Sequence, residues 1–173
     1  MLTLRDATTD DLPQLEAWDR DPDVLASSGA DPENDWRTTL AREVTWGWTL
    51  IAEVDGRAIG VLEIIDPARE ESHYWGEVEA GLRAIDIWIG APEDRNRGHG
   101  RRMMQLALDH CFAAADVQAV IIDPLESNVR ACRFYERLGF RFVERRRFGD
   151  DDCRVYRVDR AQWAAGLGPE LGV

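Results

Sequence analysis

A chain of 173 residues, of which 45% are hydrophobic, is long enough for one domain with a substantial core. It contains no apolar run near the roughly 18–20 residues of a membrane-spanning helix and no signal-peptide pattern, so we expect one domain over residues 1–173, located in the cytoplasm and away from membranes. The formal net charge of -12 argues against a nucleic-acid-binding domain.

The first half of the chain predicts mainly strands. Alternating and β-branched runs indicate them, the Asp55-Gly56 pair is a strong hairpin signal, and Thr9-Asp10-Asp11 is typical of a helix cap. The predicted elements are a strand over Thr3–Ala7, a helix from the cap to about Trp18, a helix within Asp31–Thr45, and strands over Trp48–Val54 and Ala58–Ile65.

The second half alternates strands and helices. Its predicted elements are a strand over Leu82–Ile89, a helix from Gly98 to about Ala115, a strand over Ala119–Ile122, a helix from Ser127 to about Leu138, and strands over Arg141–Arg147 and Arg154–Val158. This order predicts an α/β (α+β) fold: a mixed, mostly antiparallel central sheet flanked by helices, with one right-handed β-α-β crossover. A ligand is expected beyond the carboxyl end of the Leu82–Ile89 strand.

The segment Arg95-Asn96-Arg97-Gly98-His99-Gly100 lies between that strand and the following helix. Unpaired N–H groups and the helix dipole make a helix N-terminus attractive to anions, and glycine lets a bulky ligand approach the backbone. Arg101 and Arg102 add positive charge. We interpret the segment as a phosphate-binding turn, with an ordinary turn as the alternative. A nucleotide triphosphatase is excluded because no Gly-Lys-Ser/Thr follows the glycines.

Charge is divided unevenly along the chain. Residues 1–94 contain 22 acidic residues and 7 arginines, whereas residues 95–173 contain 11 acidic residues and 14 arginines. The basic half suits an anionic cofactor beside the turn, and the acidic half suits a cationic acceptor. An acidic surface that only maintains solubility is the alternative.

Cysteine, histidine and tryptophan give weaker signals. Three unpaired cysteines predict reduced thiols, and neither they nor the three histidines have the spacing of metal ligands, so no metal is expected. The tryptophans look exposed and are interpreted as either a homodimer face or an acceptor site.

Two motifs give the chain a family resemblance. Arg95, Gly98 and Gly100 match the Gln/Arg-x-x-Gly-x-Gly/Ala turn of the GNAT N-acetyltransferases. About thirty residues after the glycines, the chain matches the pattern N-x-x-A-x-x-x-Y-E-x-x-G-F from Asn128 to Phe140. The chain resembles this family over roughly 85–142, and within it is similar to aminoglycoside 6′-N-acetyltransferases and to enzymes that acylate hydroxylated lysine in siderophore assembly.

The resemblance implies a GNAT-like fold, acetyl-coenzyme A as the acetyl donor, and direct transfer to an amine. The pyrophosphate is expected on the turn, and the pantetheine along Trp88–Gly90 as an extra strand. The implied cofactor-binding residues are Trp88, Ile89, Gly90, Arg95, Asn96, Arg97, Gly98, His99, Gly100, Arg101 and Asn128. Tyr135 is implied as the general acid for the departing thiolate, with core packing as the alternative.

Acidic and aromatic side chains are the candidates for binding the acceptor. Asp86 lies in the middle of an apolar strand, where a carboxylate is costly unless it faces a cleft. The resemblance implies that Asp86 holds the acceptor ammonium, and leaves open whether it is also the base that accepts the proton or only binds the cation. The substrate-binding candidates are Trp75, Glu77, Glu79, Asp86, Asp123 and Asp151. A solvent-facing strand or loop position is the alternative for each acidic candidate.

These features predict an acetyl-coenzyme A-dependent N-acetyltransferase whose acceptor is a primary amine of a small, aminoglycoside-like polycation. A siderophore-type hydroxylysine N-acyltransferase and a non-catalytic acyl-coenzyme A-binding module are the alternatives. The first needs less acid around its weakly basic acceptor, and the second has no use for Tyr135 and Asp86.

Overall fold

The computed structural model describes residues 1–27 and 35–166. Its helices are α1 (Leu12–Trp18), α2 (Pro22–Ser27), α3 (Trp36–Ala41), α4 (His99–Ala113), α5 (Val129–Arg137) and α6 (Arg160–Ala164). Its strands are β1 (Leu2–Asp6), β2 (Gly47–Val54), β3 (Arg57–Ile65), β4 (Leu82–Ile89), β5 (Ala119–Ile122), β6 (Arg141–Phe148) and β7 (Asp151–Asp159).

The described strands form one sheet in the order β1-β2-β3-β4-β5-β7-β6. All neighbours in it are antiparallel except β4 and β5, which are parallel and joined through α4. The mixed, mostly antiparallel sheet with one β-α-β crossover is therefore confirmed. The crossover places the turn before α4 at the carboxyl end of β4.

Most predicted elements are present, and the differences have local causes. Strands β4 and β5 have the predicted bounds. Helix α4 begins one residue late because Gly98 is its N-cap, with φ of 80° in the left-handed region that favours glycine. Helix α5 begins at Val129 because the Asn128 side chain accepts a hydrogen bond from the Ala131 N–H and caps it.

The helix predicted within Asp31–Thr45 is confirmed as Trp36–Ala41, and residues 31–34 lie outside the described residues. Two other predictions were wrong. Helix α2 was missed, because six residues give no readable apolar period. The aspartates at 151 and 152 belong to β7, because pairing with β6 overrides their weak strand propensity.

Side chains of β4 alternate between two layers of the core. Ile85 packs with Met103 on the α4 side of the sheet, whereas Trp88 packs on the other side with the cluster that contains Trp36. Asp86 shares the Trp88 face because successive strand residues point to opposite sides. This alternation directs Asp86 away from α4.

The tryptophans do not form an exposed face. All seven lie in the described residues; Trp18, Trp36 and Trp75 are buried, and the other four are half-buried. The expectation that tryptophans look outward was wrong, because each finds apolar neighbours or a π contact inside the fold. It therefore gives no support to a homodimer.

Gly90 ends β4 where the ring of Trp18 crosses the chain. A Cβ built on Gly90 would lie 2.0 Å from Trp18 Nε1. We expect Gly90→Ala to lower the free energy of unfolding by about 1–3 kcal/mol, because the indole must move to admit the methyl group. Urea denaturation measures this loss. Gly47→Ala is the control, because its Cβ would meet no atom closer than 3.6 Å; equal losses in the two variants would contradict the close approach at Gly90.

Candidate active site

The sheet opens between β4 and β5. The two strands pair only over Leu82–Ala84, so the rest of β4 has no neighbouring strand on that side. The Gly90 N–H donates to the Ile59 carbonyl of β3, so the even-numbered residues of β4 direct their backbone groups towards β3. The N–H and C=O groups of Ile87 and Ile89 therefore point into the opening.

One cavity, of about 640 Å³, lies at this opening beside the turn and α5. We call it the turn cavity. Its lining includes eight of the predicted cofactor-binding residues: Trp88, Ile89, Arg95, Asn96, Gly98, Gly100, Arg101 and Asn128. Gly90, Arg97 and His99 are absent from the lining. Most of the residues predicted from the turn motif are thus brought together around one space.

The turn has the backbone geometry that a phosphate-binding turn requires. Asn96 and Gly98 both have positive φ, at 61° and 80°. The Asn96 side-chain carbonyl accepts a hydrogen bond from Arg130, which ties the turn to α5. The first N–H groups of an α-helix have no partner within the helix, and Gly100 and Arg101 of the first turn of α4 line the turn cavity.

Arg95 makes contacts that the sequence did not predict. Its guanidinium donates to Asp23 at 2.7 Å and to Asp21 at 2.8 Å, and also to the Gly90 carbonyl at 2.6 Å. Its Nε donates to the Ile89 carbonyl at 3.2 Å. Arg95 therefore fastens α2 and the segment before it to the end of β4, although its side chain also lines the turn cavity.

A second cavity, of about 650 Å³, adjoins the turn cavity along β4. We call it the acidic cavity. Of the predicted acceptor residues, Trp75, Asp86, Asp123 and Asp151 line it. Glu77 and Glu79 are absent from its lining, and Glu79 instead accepts a hydrogen bond from Arg157. Its carboxylates include Glu63, Glu70 and Asp150, and among the described lining residues there is no arginine, lysine or histidine.

Glu63 and Tyr74 are among the lining residues that were missed, and the sequence held a signal for the first of them. Glu63 lies mid-strand in the apolar run of β3, which is the same pattern that identified Asp86. No sequence pattern marked Tyr74 as a site residue, apart from its position next to the candidate Trp75. Its hydroxyl donates to Asp123 Oδ2 at 2.6 Å, and its ring stacks on Phe148 at 4.6 Å between centroids.

Three carboxyl groups of the acidic cavity, those of Asp86, Glu63 and Asp123, hold protons more tightly than usual. The Asp86 side chain is exposed to the cavity but surrounded by protein atoms. Burial among those atoms is the main cause that raises its pKa to about 8, and the charges of Asp123 and Glu63 raise it further. Burial, with the charge of Asp19, raises the pKa of Glu63 to about 7. Burial also raises the pKa of Asp123, against the hydrogen bond from Tyr74 and the charge of Arg146.

Tyr135 lies where the two cavities meet. It lines both of them, and it is buried against Phe134 and Phe140. Burial and the charges of Asp86 and Asp123 hold the pKa of its phenol above the ordinary value, so the hydroxyl stays protonated. That hydroxyl makes no hydrogen bond with any described residue. It is therefore a proton donor without a partner at the junction.

Two features of the described residues bear on other classes of protein. No helix there is long and apolar enough to cross a membrane. No cluster of three or more histidine, cysteine or acidic side chains there has the arrangement of a metal site.

Comparison with known proteins identifies the same architecture elsewhere. The acetyltransferase (GNAT) domain family matches residues 7–148. An aminoglycoside N(6′)-acetyltransferase type 1 of Klebsiella pneumoniae is 27% identical over 149 residues, which are 80% of this chain and 73% of that protein.

Solved structures resemble the whole described fold. Aminoglycoside acetyltransferase AAC(6′)-Ib with coenzyme A and kanamycin superposes with a TM-score of 0.85 at 24% identity, over 96% of this chain and 99% of that chain. A spermidine N-acetyltransferase of Vibrio cholerae with coenzyme A and spermine has a TM-score of 0.75 at 18% identity, over 94% and 98% of the two chains.

Proposed function

Because this chain belongs to the GNAT acetyltransferase family, we propose that it transfers the acetyl group of acetyl-coenzyme A directly to a primary amine of a small polycationic acceptor. The observation that carries the proposal is the meeting of two different cavities at β4. The turn cavity, which suits an anion, adjoins the carboxylate-lined acidic cavity, and both include Ile87, Trp88 and Tyr135 in their lining.

The turn cavity fits acetyl-coenzyme A, which supplies the activated acetyl group. Its pyrophosphate is assigned to the N–H groups of the turn and to Arg101, as helix N-termini bind phosphates. The backbone of Ile87 and Ile89 can pair with an extended pantetheine arm, because their polar groups point into the opening. Asn128 caps α5 and also lines both cavities, so it can contact that arm while keeping its structural role.

The acidic cavity fits the acceptor. Carboxylates without lining cations attract an ammonium group, and the buried Trp75, packed edge-on against Tyr74 and Phe148, forms part of the cavity wall. Asp86 is assigned to hold the reacting ammonium and to accept its proton, because its raised pKa lets it take up a proton near neutral pH. The amine then attacks the thioester carbonyl carbon in a direct transfer.

Tyr135 is assigned to protonate the departing thiolate. As the carbon–sulfur bond breaks, the phenol can donate its proton to the sulfur, which leaves coenzyme A as the thiol. Its position at the junction of the cavities and its protonated state suit this role.

The relatives support an aminoglycoside-like acceptor, since both kinds of named enzyme act on polycationic amines. The siderophore-type alternative is less favoured, because a weakly basic hydroxylamine gains little from so many carboxylates. The proposal treats residues 1–173 as one catalytic domain that acts in the cytoplasm, which agrees with free thiols at Cys111, Cys132 and Cys153. A homodimer remains a proposal without support from the described surface.

An amine panel tests the proposed function. We expect thiol release from acetyl-coenzyme A with kanamycin and spermine, and little with hydroxylamines or with neutral amines of the same size. Raising the salt concentration is expected to increase KM for the acceptor, because the attraction between acceptor and cavity is electrostatic. Binding of coenzyme A without acetylation of any amine would favour the non-catalytic module instead.

A further inference from the structure

Glu63 lies directly opposite Asp86 in the antiparallel pairing of β3 with β4. Residues paired in this way have Cβ atoms about 4.5–5.5 Å apart on one face of the sheet. Both side chains line the acidic cavity, and the neighbours of Glu63 on its strand, Leu62 and Ile64, are fully buried on the other face. The two carboxyl groups therefore enter the same space side by side.

Neither carboxyl group has a partner in the described protein. Asp86 and Glu63 make no hydrogen bond and no ion pair there, whereas the buried carboxylates Asp66 and Asp94 each pair with an arginine. Carboxylates that stay unpaired in a protein-lined cavity are costly. The missing partner is a proton or the cation of a ligand.

Most of the other charged groups around the pair are negative. Asp123 approaches from the end of β5, and Asp19 from the end of α1, where it accepts a hydrogen bond from the Trp36 indole at 2.5 Å. The remaining titratable groups that line the cavity are Glu70, Tyr74, Tyr135, Asp150, Asp151 and Cys153. Arg146 is a nearby cation, and its charge acts on Asp123.

We infer that Glu63 is a further acceptor-positioning residue, which shares one proton with Asp86 so that the two act as a single proton-accepting pair. The inference deepens the proposed function and rests on it for the identity of the proton donor. When both carboxylates are ionised, one N–H bond of the bound ammonium breaks and an O–H bond forms on the pair. The nitrogen keeps the electron pair that attacks the thioester carbon.

Sharing explains why the pair suits an amine at neutral pH. Two adjacent carboxyl groups resist losing both protons, so the second proton is held into the neutral range. The pKa of Asp86, about 8, agrees with this, because the charges of Asp123 and Glu63 raise it in addition to burial. A basic amine then meets an acceptor whose proton affinity approaches its own. A lone Asp86 would be ionised earlier and would be a weaker base.

The test compares Glu63→Gln with Glu144→Gln, a glutamate that is exposed on β6 and absent from both cavity linings. With kanamycin as acceptor, we expect Glu63→Gln to lower kcat/KM about tenfold at pH 9 but only a few-fold at pH 6.5. At high pH only the wild type carries two negative charges, so the variant loses one of them. At low pH the variant loses less, because glutamine at position 63 lowers the pKa of Asp86 and leaves more of it ionised. Glu63→Asp is expected to restore most of the pH dependence, and Glu144→Gln to leave it unchanged.

A titration of the protein alone gives a second readout that needs no acceptor. Carbon-13 NMR of labelled aspartate, with Asp86→Asn used to assign the signal, is expected to show the Asp86 titration about one pH unit lower in Glu63→Gln. An unchanged titration, or the same loss of kcat/KM at every pH, would overturn the shared proton. A wild type that acetylates no amine but shows the NMR shift would defeat the proposed function and the catalytic role of the pair, while a missing shift in an active enzyme would defeat the pair alone.

Discussion

Asp86→Asn is expected to lower kcat/KM for kanamycin or spermine by about thirty- to a thousand-fold. Asparagine keeps the shape of the side chain but removes both the charge that holds the ammonium and the base that accepts its proton. Loss of one charged contact of this kind costs about 2–4 kcal/mol in the transition state. Initial rates of thiol release, measured below KM, give the ratio. Retention of kcat/KM within a few-fold would remove Asp86 from the reaction.

The stability of Asp86→Asn distinguishes lost chemistry from lost structure. The pKa of Asp86 in the fold, about 8, lies above the ordinary value of an unfolded aspartate, so the folded state binds more protons. The contribution of this group to the free energy of unfolding therefore falls as the pH rises from the pKa of an unfolded aspartate to the pKa of about 8 in the fold. Asparagine escapes that penalty, and at pH 9 the variant is expected to melt no lower than the wild type. A large drop in Tm at pH 9 would assign the loss of activity to misfolding.

Tyr135→Phe is expected to lower kcat by about a hundredfold or more, while the Kd of coenzyme A changes less than twofold. Phenylalanine keeps the ring that packs against Phe134 and Phe140 but removes the only proton that the side chain can donate. General acid catalysis contributes effects of about this size. Turnover measurements and calorimetric titration with coenzyme A separate the two quantities.

Tyr156→Phe is the matched control for Tyr135. The Tyr156 ring is fully buried and its hydroxyl donates to Glu136 at 2.8 Å, but it lines neither cavity. This variant should lose about 1 kcal/mol of stability and keep its turnover. If Tyr135→Phe lost coenzyme affinity and turnover equally, its hydroxyl would be part of the packing rather than of the chemistry.

The sequence predicted the elements that have strong local signals. Strand β4 is bounded by apolar alternation, and the turn at Gly98 has residues that only a few backbone conformations favour. The Asp86 carboxylate was conspicuous because it interrupts an apolar strand. These signals depend on neighbours along the chain, so they survive without knowledge of the fold.

Pairings across the chain were beyond the reach of those signals. Glu63 matters because it faces Asp86, and this follows from the register of β3 with β4 rather than from either strand alone. Arg95 was predicted to bind phosphate, but its guanidinium donates hydrogen bonds to Asp21 and Asp23, which lie more than seventy residues earlier in the chain. Trp75, Glu77 and Glu79 were all predicted to bind the acceptor, whereas of these three only Trp75 lines the acidic cavity.

Because of the opening beside β4, ligand binding is thermodynamically coupled to folding. Pairing between β4 and β5 stops after Ala84, so the backbone of Ile87 at the centre of the sheet depends on a ligand or on water for its hydrogen bonds. An extended ligand that pairs there completes the sheet, and it binds only the folded chain. By mass action, the free energy of unfolding then rises with the concentration of that ligand. Substitutions that destabilise the ligand-free protein would be partly masked wherever the ligand is abundant.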